Sequence, residues 1–317
     1  MKILVAPLNW GLGHATRCIP LIRHWLEEGH EVVLGGDGDS LLLLRHTFPQ
    51  LRYVELASLH LRYSSSKRQV GAMLCAMPKL ILWATKDHYL LRAVLNTEPF
   101  DRVVSDNRFG LYAPQVECIY ITHQLHIFLP KPWRWLEPLA ERLHARIYTH
   151  YNKVWVPDYE NHAQSLAGEL SHPRQRVSTT EYIGPLSRFQ SPISKGGKGI
   201  DSSFDTVAVL SGLEPQRTLL EQTLVERYQG RKDSVLIVQG LIGCPATRIK
   251  RGNLTIIPHL NDATLAGYLT QAKHIIARSG YSTIMDFQAL GVLSKAELIP
   301  TPGQPEQEYL AHWLKRQ

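Results

Sequence analysis

Short apolar runs alternate along the chain with segments whose apolar residues recur every three or four positions. Residues 2–6 and 31–34 are β-rich runs, and between them Ile19, Ile22, Trp25 and Leu26 recur at helical spacing, which predicts a β-α-β unit. Pro20 falls in that helix, where proline is tolerated in the opening turns and costly deeper. Further strands are predicted at 52–56, 102–105, 119–122 and 154–156, and helices at 73–95 and 135–148. Strands alternating with helices imply a parallel sheet covered on both faces.

Residues 187–205 break the pattern. They are rich in Ser, Gly and Lys and lack periodicity, so they are the linker candidate. The glycine run 195–199 is not a phosphate loop, because no apolar strand precedes it and the Gly-Lys-Ser/Thr ending is missing. The alternation then resumes, with strands at 206–210, 235–238, 254–257, 274–277 and 297–299. Helices are predicted at 215–228, 262–271, 282–290 and 306–315. A chain of 317 residues exceeds what one core usually serves. The expected organisation is therefore α/β, with two Rossmann-like doubly wound domains, 1–186 and 187–317, facing across a cleft.

Charge and cysteine usage narrow the partners. A formal charge of +7 favours an anionic partner. No stretch approaches the roughly 18 apolar residues needed to span a bilayer, and the start is too short an apolar run for a signal peptide, so a cytoplasmic chain is expected. Cys18, Cys75, Cys118 and Cys244 are widely spaced, which supports neither a disulfide framework nor a zinc site. The histidines are scattered without metal-ligand spacing, so no metal is expected.

Candidate chemistry gathers at turns between an apolar strand and a helix. In the first, Gly11 and Gly13 let backbone approach a ligand, and His14 stands at a helix mouth whose amides and dipole suit an anion. With Asp37 after the second strand this also reads as a dinucleotide fingerprint, although the third glycine is missing. Asp37-Gly38-Asp39 matches an Asp-x-Asp metal pattern, but its position after a strand favours an ordinary polar turn. A second turn, Ser211-Gly212 with Arg217 beyond it, could receive a diphosphate. A third joins Arg278, Ser279 and Gly280 to Thr283 and Asp286. Here the turn can donate to phosphate oxygens and the carboxylate can accept from ribose hydroxyls. The loop 300–307 ends in Glu306 and Gln307, side chains able to hold sugar hydroxyls. Asp106 and Asn107 end one strand, and His123 follows the next, at the carboxyl edge where ligands of open sheets gather.

At Arg278-Ser279-Gly280, Thr283, Asp286, Gly291, Pro300 and Gln307, and more loosely at residues 11–14 and 211–212, the chain resembles GT-B glycosyltransferases of family 28. That group is typified by the peptidoglycan enzyme that adds N-acetylglucosamine to a lipid-linked precursor. The resemblance implies a UDP-sugar co-substrate held mainly by the second domain, with the acid on the ribose and the glutamine on the sugar. It also implies inverting, metal-independent transfer to a hydroxyl acceptor that is lipid-linked or a glycan. Two departures stand out: the acid is Asp where Glu is common, and Trp10 and Leu12 occupy a loop that is richer in glycine in the peptidoglycan enzyme. GT-B proteins usually finish with helices that pack back on the first domain, so a chain reaching only Gln317 is expected to be a minimal or truncated form.

These observations nominate His14 as general base, with Asp106 as the alternative. The donor set is Gly13, Ser211, Gly212, Arg217, Arg278, Ser279, Gly280, Thr283, Asp286 and Gln307, and Asn107 and His123 stand on the acceptor side. Residues 62–92 and 128–151 mix aromatics and aliphatics with Lys67, Arg68, Lys79, Lys131, Arg134 and Arg142, a composition suited to the anionic inner face of a membrane as well as to amphipathic core helices. No nucleic-acid-binding signature is present. A UDP-sugar epimerase, a non-catalytic nucleotide-sugar-binding protein and an NAD-dependent enzyme are the competing functions.

Overall fold

The computed structural model describes residues 1–58, 69–129, 131–173, 177–189, 204–245 and 247–316. Its first half holds strands β1 (Lys2–Pro7), β2 (Glu31–Gly36), β3 (Tyr53–Glu55), β4 (Arg102–Asp106), β5 (Glu117–Ile121), β6 (Lys153–Val156) and β7 (Thr180–Tyr182). They form one sheet in the order β3-β2-β1-β4-β5-β6-β7, with every pairing parallel. Helices α1 (Gly13–Glu27), α2 (Gly38–Thr47), α3 (Gln69–Thr97) and α4 (Glu137–Tyr148) complete this half.

Both faces of β1 are covered, which explains why it is apolar from Ile3 onward. Ile3 and Val5 join Ile19, Ile22 and Trp25 of α1 in one core, while Leu4 and Ala6 point to the other with Leu91 of α3. A slip of one residue would exchange those faces, at roughly 2 kcal/mol for each branched side chain misplaced. Pro20 is the eighth residue of α1, deeper than its opening turn, and there it gives no amide to the carbonyl of Thr16. The Asp37-Gly38-Asp39 segment begins α2 and is not a plain turn. Asp37 is the residue before the helix, and its Oδ2 accepts from the Ser58 amide.

The second half holds β8 (Thr206–Val209), β9 (Val235–Val238), β10 (Ile249–Arg251), β11 (Leu254–Ile257), β12 (His274–Arg278) and β13 (Ala296–Ile299) in the order β10-β11-β9-β8-β12-β13. Only β10, an exposed edge strand, runs antiparallel. Its helices are α5 (Gln216–Tyr228), α6 (Asp262–Gln271), α7 (Tyr281–Leu290) and α8 (Pro305–Trp313). Asn261 caps α6 by accepting from the Thr264 amide, and α7 ends at Gly291 in the left-handed conformation that glycine accommodates. These two parallel-sheet units facing one another are the GT-B fold.

Residues 190–203 of the linker candidate lie outside the described residues, but the three before them are not a loose connection. Phe189 is buried in the second core, while Ser187 and Arg188 bond Asp286 of α7. The halves share a further core: Leu166, Ala167, Leu170 and Leu186 pack against Tyr281, Ile284, Met285 and Leu310. Here α8 itself packs back on the first half. The Tyr309 hydroxyl accepts from the Glu169 amide at 2.9 Å, and Trp313 donates to the Ser165 carbonyl at 3.1 Å.

Candidate active site

Strand order places the cleft. In each sheet the chain leaves a central strand in opposite directions, between β1 and β4 in one and between β8 and β12 in the other, and such switch points open a crevice at the carboxyl ends. The two crevices face each other around a cavity of about 1710 Å³. That exceeds the ~300–1,000 Å³ of a site for one small ligand, so there is room for more than one small molecule.

From the first half, α1 begins just beyond β1 and delivers His14 into the cleft, while Asp106, last residue of β4, lies directly behind it. His14 Nδ1 stands 2.8 Å from Asp106 Oδ1 and 2.9 Å from Arg17 Nη2. A carboxylate only accepts and a guanidinium only donates, so Nδ1 can bond one of the two. Arg17 Nη2 already has Asp106 Oδ1 as its acceptor, so the proton on Nδ1 is assigned to the bond with Asp106, the approach of Nη2 is a contact and not a bond, and the Nε2 lone pair is left unprotonated. Arg17 Nε and Nη2 donate to the two oxygens of Asp106, and Nη1 donates to His123 Nδ1 at 3.1 Å. His123 must then carry its proton on Nε2, which donates to Glu306 Oε1 at 2.8 Å. Gln124 donates to the other oxygen of Glu306, and the ring of Tyr281 stacks on His123 with centroids 4.3 Å apart. Five side chains thus form one polar chain across both halves.

The electrostatics follow from burial. Arg17 is 1% exposed and Asp106 fully buried. Burial opposes ionisation of Asp106, but the charges of Arg17 and His14 overcome it and hold the carboxyl at about 2. At His14 burial is the largest influence and lowers the pKa below the usual imidazole value, against the upward pull of Asp106. His14 is therefore neutral at physiological pH, as a proton acceptor must be. Burial also opposes the charge on Glu306, and His123 together with His14 and Arg17 outweighs it, so this acid stays below its ordinary range.

From the second half, residues 211–213 after β8 and 280–283 at the mouth of α7 line the opposite wall. Gly212 has φ +101°, a conformation that side chains rarely adopt. The first turn of α7 carries amides without intrahelical acceptors and the positive end of the helix dipole.

The cleft gathers most of the residues nominated from sequence: Gly13, His14, Asn107, His123, Ser211, Gly212, Gly280, Thr283, Asp286 and Gln307 all line it. Three nominated donor residues do not. Arg217 turns along its own helix to Glu214 and Glu221, and Arg278 donates to the carbonyls of Pro300 and Gln216. Ser279 is fully buried and donates to the carbonyl of Gln307, so Arg278 and Ser279 hold the 300–307 loop against β12. Two lining residues are already engaged. Asp286 accepts from Ser187 and Arg188, and Gln307 bonds the Thr301 amide and Gln304. As the alternative base Asp106 is disfavoured, because no part of it reaches the cleft and its carboxyl is a weak proton acceptor. Asp37 does not line the cleft, and its Oδ2 accepts from the Ser58 amide.

Sequence reasoning missed Arg17, Arg23 and Arg188, and did not separate Glu306 from its loop. Arg17 had a signal, since it stands three residues after His14 on the same helical face. Arg23 donates to the carbonyl of Arg188 and approaches Asp262, a pairing visible only in three dimensions. Among the described residues no group of His, Cys, Asp and Glu converges to hold a metal.

The end of the cleft formed by residues 128–147 carries many apolar side chains. Phe128, Trp133, Leu136, Leu139, Leu143 and Ile147 line it. Trp135, Leu139, Leu143, Leu82 and Tyr89 of the neighbouring surface are at least half exposed, and Lys79, Arg134 and Arg142 are exposed. Lys67 and Arg68 lie outside the described residues. No helix among the described residues is long and apolar enough to cross a membrane.

No protein-family model matches the chain. It is similar to an uncharacterized glycosyltransferase of Methanosarcina acetivorans, 25% identical over an alignment of 336 positions that spans 97% of this chain and 82% of the relative. Among solved structures it is similar to the glycotransferase of kitacinnamycin, with TM-score 0.61 and 17% identity over 99% of this chain and 84% of the other. It is also similar to MurG of Acinetobacter baumannii, with TM-score 0.53 and 14% identity over 99% and 83%. These likenesses agree with the GT-B architecture built above.

Proposed function

We propose that the protein is an inverting glycosyltransferase that moves a sugar from a nucleoside diphosphate carrier, most simply a UDP-sugar, to a hydroxyl of an acceptor with a large apolar body. The observation that carries this reading is the neutral His14, backed by buried Asp106, facing the amide-bearing turns at 211–213 and 280–283 across a cleft large enough for two substrates. The relatives' description as glycosyltransferases supports the reaction class.

The acceptor hydroxyl gives its proton to His14 Nε2 as its oxygen attacks the anomeric carbon from the face opposite the diphosphate. The carbon–oxygen bond to the diphosphate breaks, and the nucleoside diphosphate leaves with the electron pair. Asp106 stabilises the imidazolium that forms. Negative charge building on the leaving group is met by the amides at the mouth of α7 and at Gly212, so that no metal is required. Backside attack inverts the anomeric configuration.

An apolar acceptor, such as a lipid-linked sugar, fits the aromatic and aliphatic wall beside His14, and the exposed apolar and basic residues around it suit the anionic inner face of a membrane. The test is incubation with UDP-, dTDP- and GDP-sugars, with and without an amphiphilic hydroxyl acceptor and with magnesium or EDTA, reading nucleoside diphosphate release and the anomeric configuration of the product. Acceptor-dependent release with inversion in EDTA is expected. Release without acceptor accompanied by an isomerised sugar would replace this reading with epimerisation, and binding without release would leave a nucleotide-sugar-binding protein.

A further inference from the structure

Base and carboxylate do not exhaust the polar chain along the cleft wall. Arg17 is a buried guanidinium that touches Asp106, His14 and His123, and burying such a charge is tolerated only where its donors are met. Its far partner His123 is held from the opposite half by Glu306, carried at the start of α8. The pieces come from positions 14, 17, 106, 123 and 306, and nothing in the sugar-transfer reading uses the last two.

We propose that Arg17 is the positioning residue of the base, and that Glu306 sets Arg17 through the tautomer of His123, so that His14 is aimed only when the second half is docked. This rests on the sugar-transfer reading for its catalytic consequence, but not for its structural one. A guanidinium cannot accept, so it needs an unprotonated Nδ1 on His123. The carboxylate of Glu306 cannot donate, so it needs a proton on Nε2 of the same ring. The two demands select one tautomer, and each half supplies one of them. Withdrawing Glu306 leaves Arg17 alone to hold the tautomer, so part of the population places the proton on Nδ1, where it meets the N–H of Arg17 head on. Arg17 would then shift, and with it the two oxygens of Asp106 that fix Nδ1–H of His14. Stacking of Tyr281 on His123 adds a second contact from the donor half that keeps the ring in plane.

The test uses the 317-residue protein with ¹⁵N-labelled histidine, read by long-range ¹H–¹⁵N correlation without substrate. Wild type is expected to show His14 as the Nδ1–H tautomer and His123 as the Nε2–H tautomer. In Glu306→Ala both rings should become tautomer mixtures. Glu306→Gln keeps an oxygen that can accept from Nε2 and should restore both wild-type patterns. Arg17→Lys retains the charge without the fork and should disorder His14 while sparing the His123–Glu306 bond. In the transfer assay Glu306→Ala should lose roughly tenfold or more of kcat, part of what a positioned base contributes, with donor KM within about threefold. An unchanged His14 tautomer in both Glu306→Ala and Arg17→Lys would overturn the proposal, as would a loss in Glu306→Ala confined to donor KM, which would make Glu306 a sugar ligand only. Correct tautomers in a wild-type protein that transfers no sugar would instead reject the function and leave the positioning intact.

Discussion

Ser282, in the first turn of α7, donates its hydroxyl to the carbonyl of Gly13, the first residue of α1, at 2.8 Å. The helix mouths that carry His14 and Gly280 are thereby joined directly, each from a different half of the molecule. A Cβ on Gly13 would stand 2.9 Å from Ser282 Oγ, closer than packed side chains come, and 3.3 Å from its Cβ, a tight contact.

Gly13→Ala should therefore push the mouths apart. Overpacking of this kind costs about 1–3 kcal/mol, and the opening should also weaken nucleoside diphosphate binding. Urea denaturation and calorimetric titration with UDP measure the two effects. Ser282→Gly in the same chain removes the obstructing side chain and should recover most of the lost stability. No recovery would show that Gly13 is required for another reason.

His14→Ala should lower turnover by roughly 10²- to 10⁴-fold while leaving the donor dissociation constant nearly unchanged, because a general base acts in the transition state. In the wild type the pKa of His14 lies below the usual imidazole value, so kcat/KM should be level above about pH 7 and fall only at lower pH as Nε2 takes a proton. A fall beginning above pH 7 would point to another group, and turnover unchanged by the substitution would reject the role outright.

Much of the architecture is legible in the sequence because it rests on local periodicity. The bounds of β9, β11 and α6 coincide with those expected, since each is an apolar run or amphipathic stretch framed by polar residues. Helix α2 is not legible, because four successive leucines at 41–44 hide its period. Strands β7 (Thr180-Glu181-Tyr182) and β10 (Ile249-Lys250-Arg251) are three residues each and mostly polar, so no apolar run marks them. The turns of the site are visible as glycines after strands, but the direction of an arginine beside a turn is not. Arg217 and Arg278 read as phosphate ligands and instead serve a helix face and a loop, while Arg17, inside a helix, reaches the centre. The bond of His123 to Glu306 spans 183 positions, and no local pattern foretells it.

His144 makes stability depend on pH. It is buried among Phe109, Tyr120 and Tyr148, and burial lowers its pKa to about 4 from an unfolded value near 6.5. The unfolded chain therefore binds this proton more readily, so the contribution is full above about pH 6.5 and is lost as pH falls toward 4. At 1.36 kcal/mol per unit the loss approaches roughly 3 kcal/mol. Urea unfolding at several pH values should show this decline, and His144→Phe should flatten it across that window. A slope unchanged in the variant would mean that His144 is solvated or already charged in the folded protein.

Asp286 and Arg188 make the last case, where pairing and burial oppose each other. The Asp286 carboxylate is 8% exposed, and burial raises its pKa while Arg188 and Ser187 pull it down. Arg188→Ala removes the charge partner and leaves the carboxylate in a desolvated place. Losing one member of a buried pair costs about 3–5 kcal/mol, and the solvent-facing edge of Arg188 argues for the lower end. The loss should be largest near neutrality and shrink as pH falls and Asp286 takes up a proton, because the neutral acid carries little desolvation cost. Asp286→Asn in the Arg188→Ala background removes the stranded charge and should recover stability at neutral pH without the pH dependence. Urea denaturation of the single and double variants at pH 7.5 and pH 5 tests this. Equal losses at both pH values would show that Arg188 contributes through packing on Phe189 and its contact with Asp262, and not through the charge of Asp286.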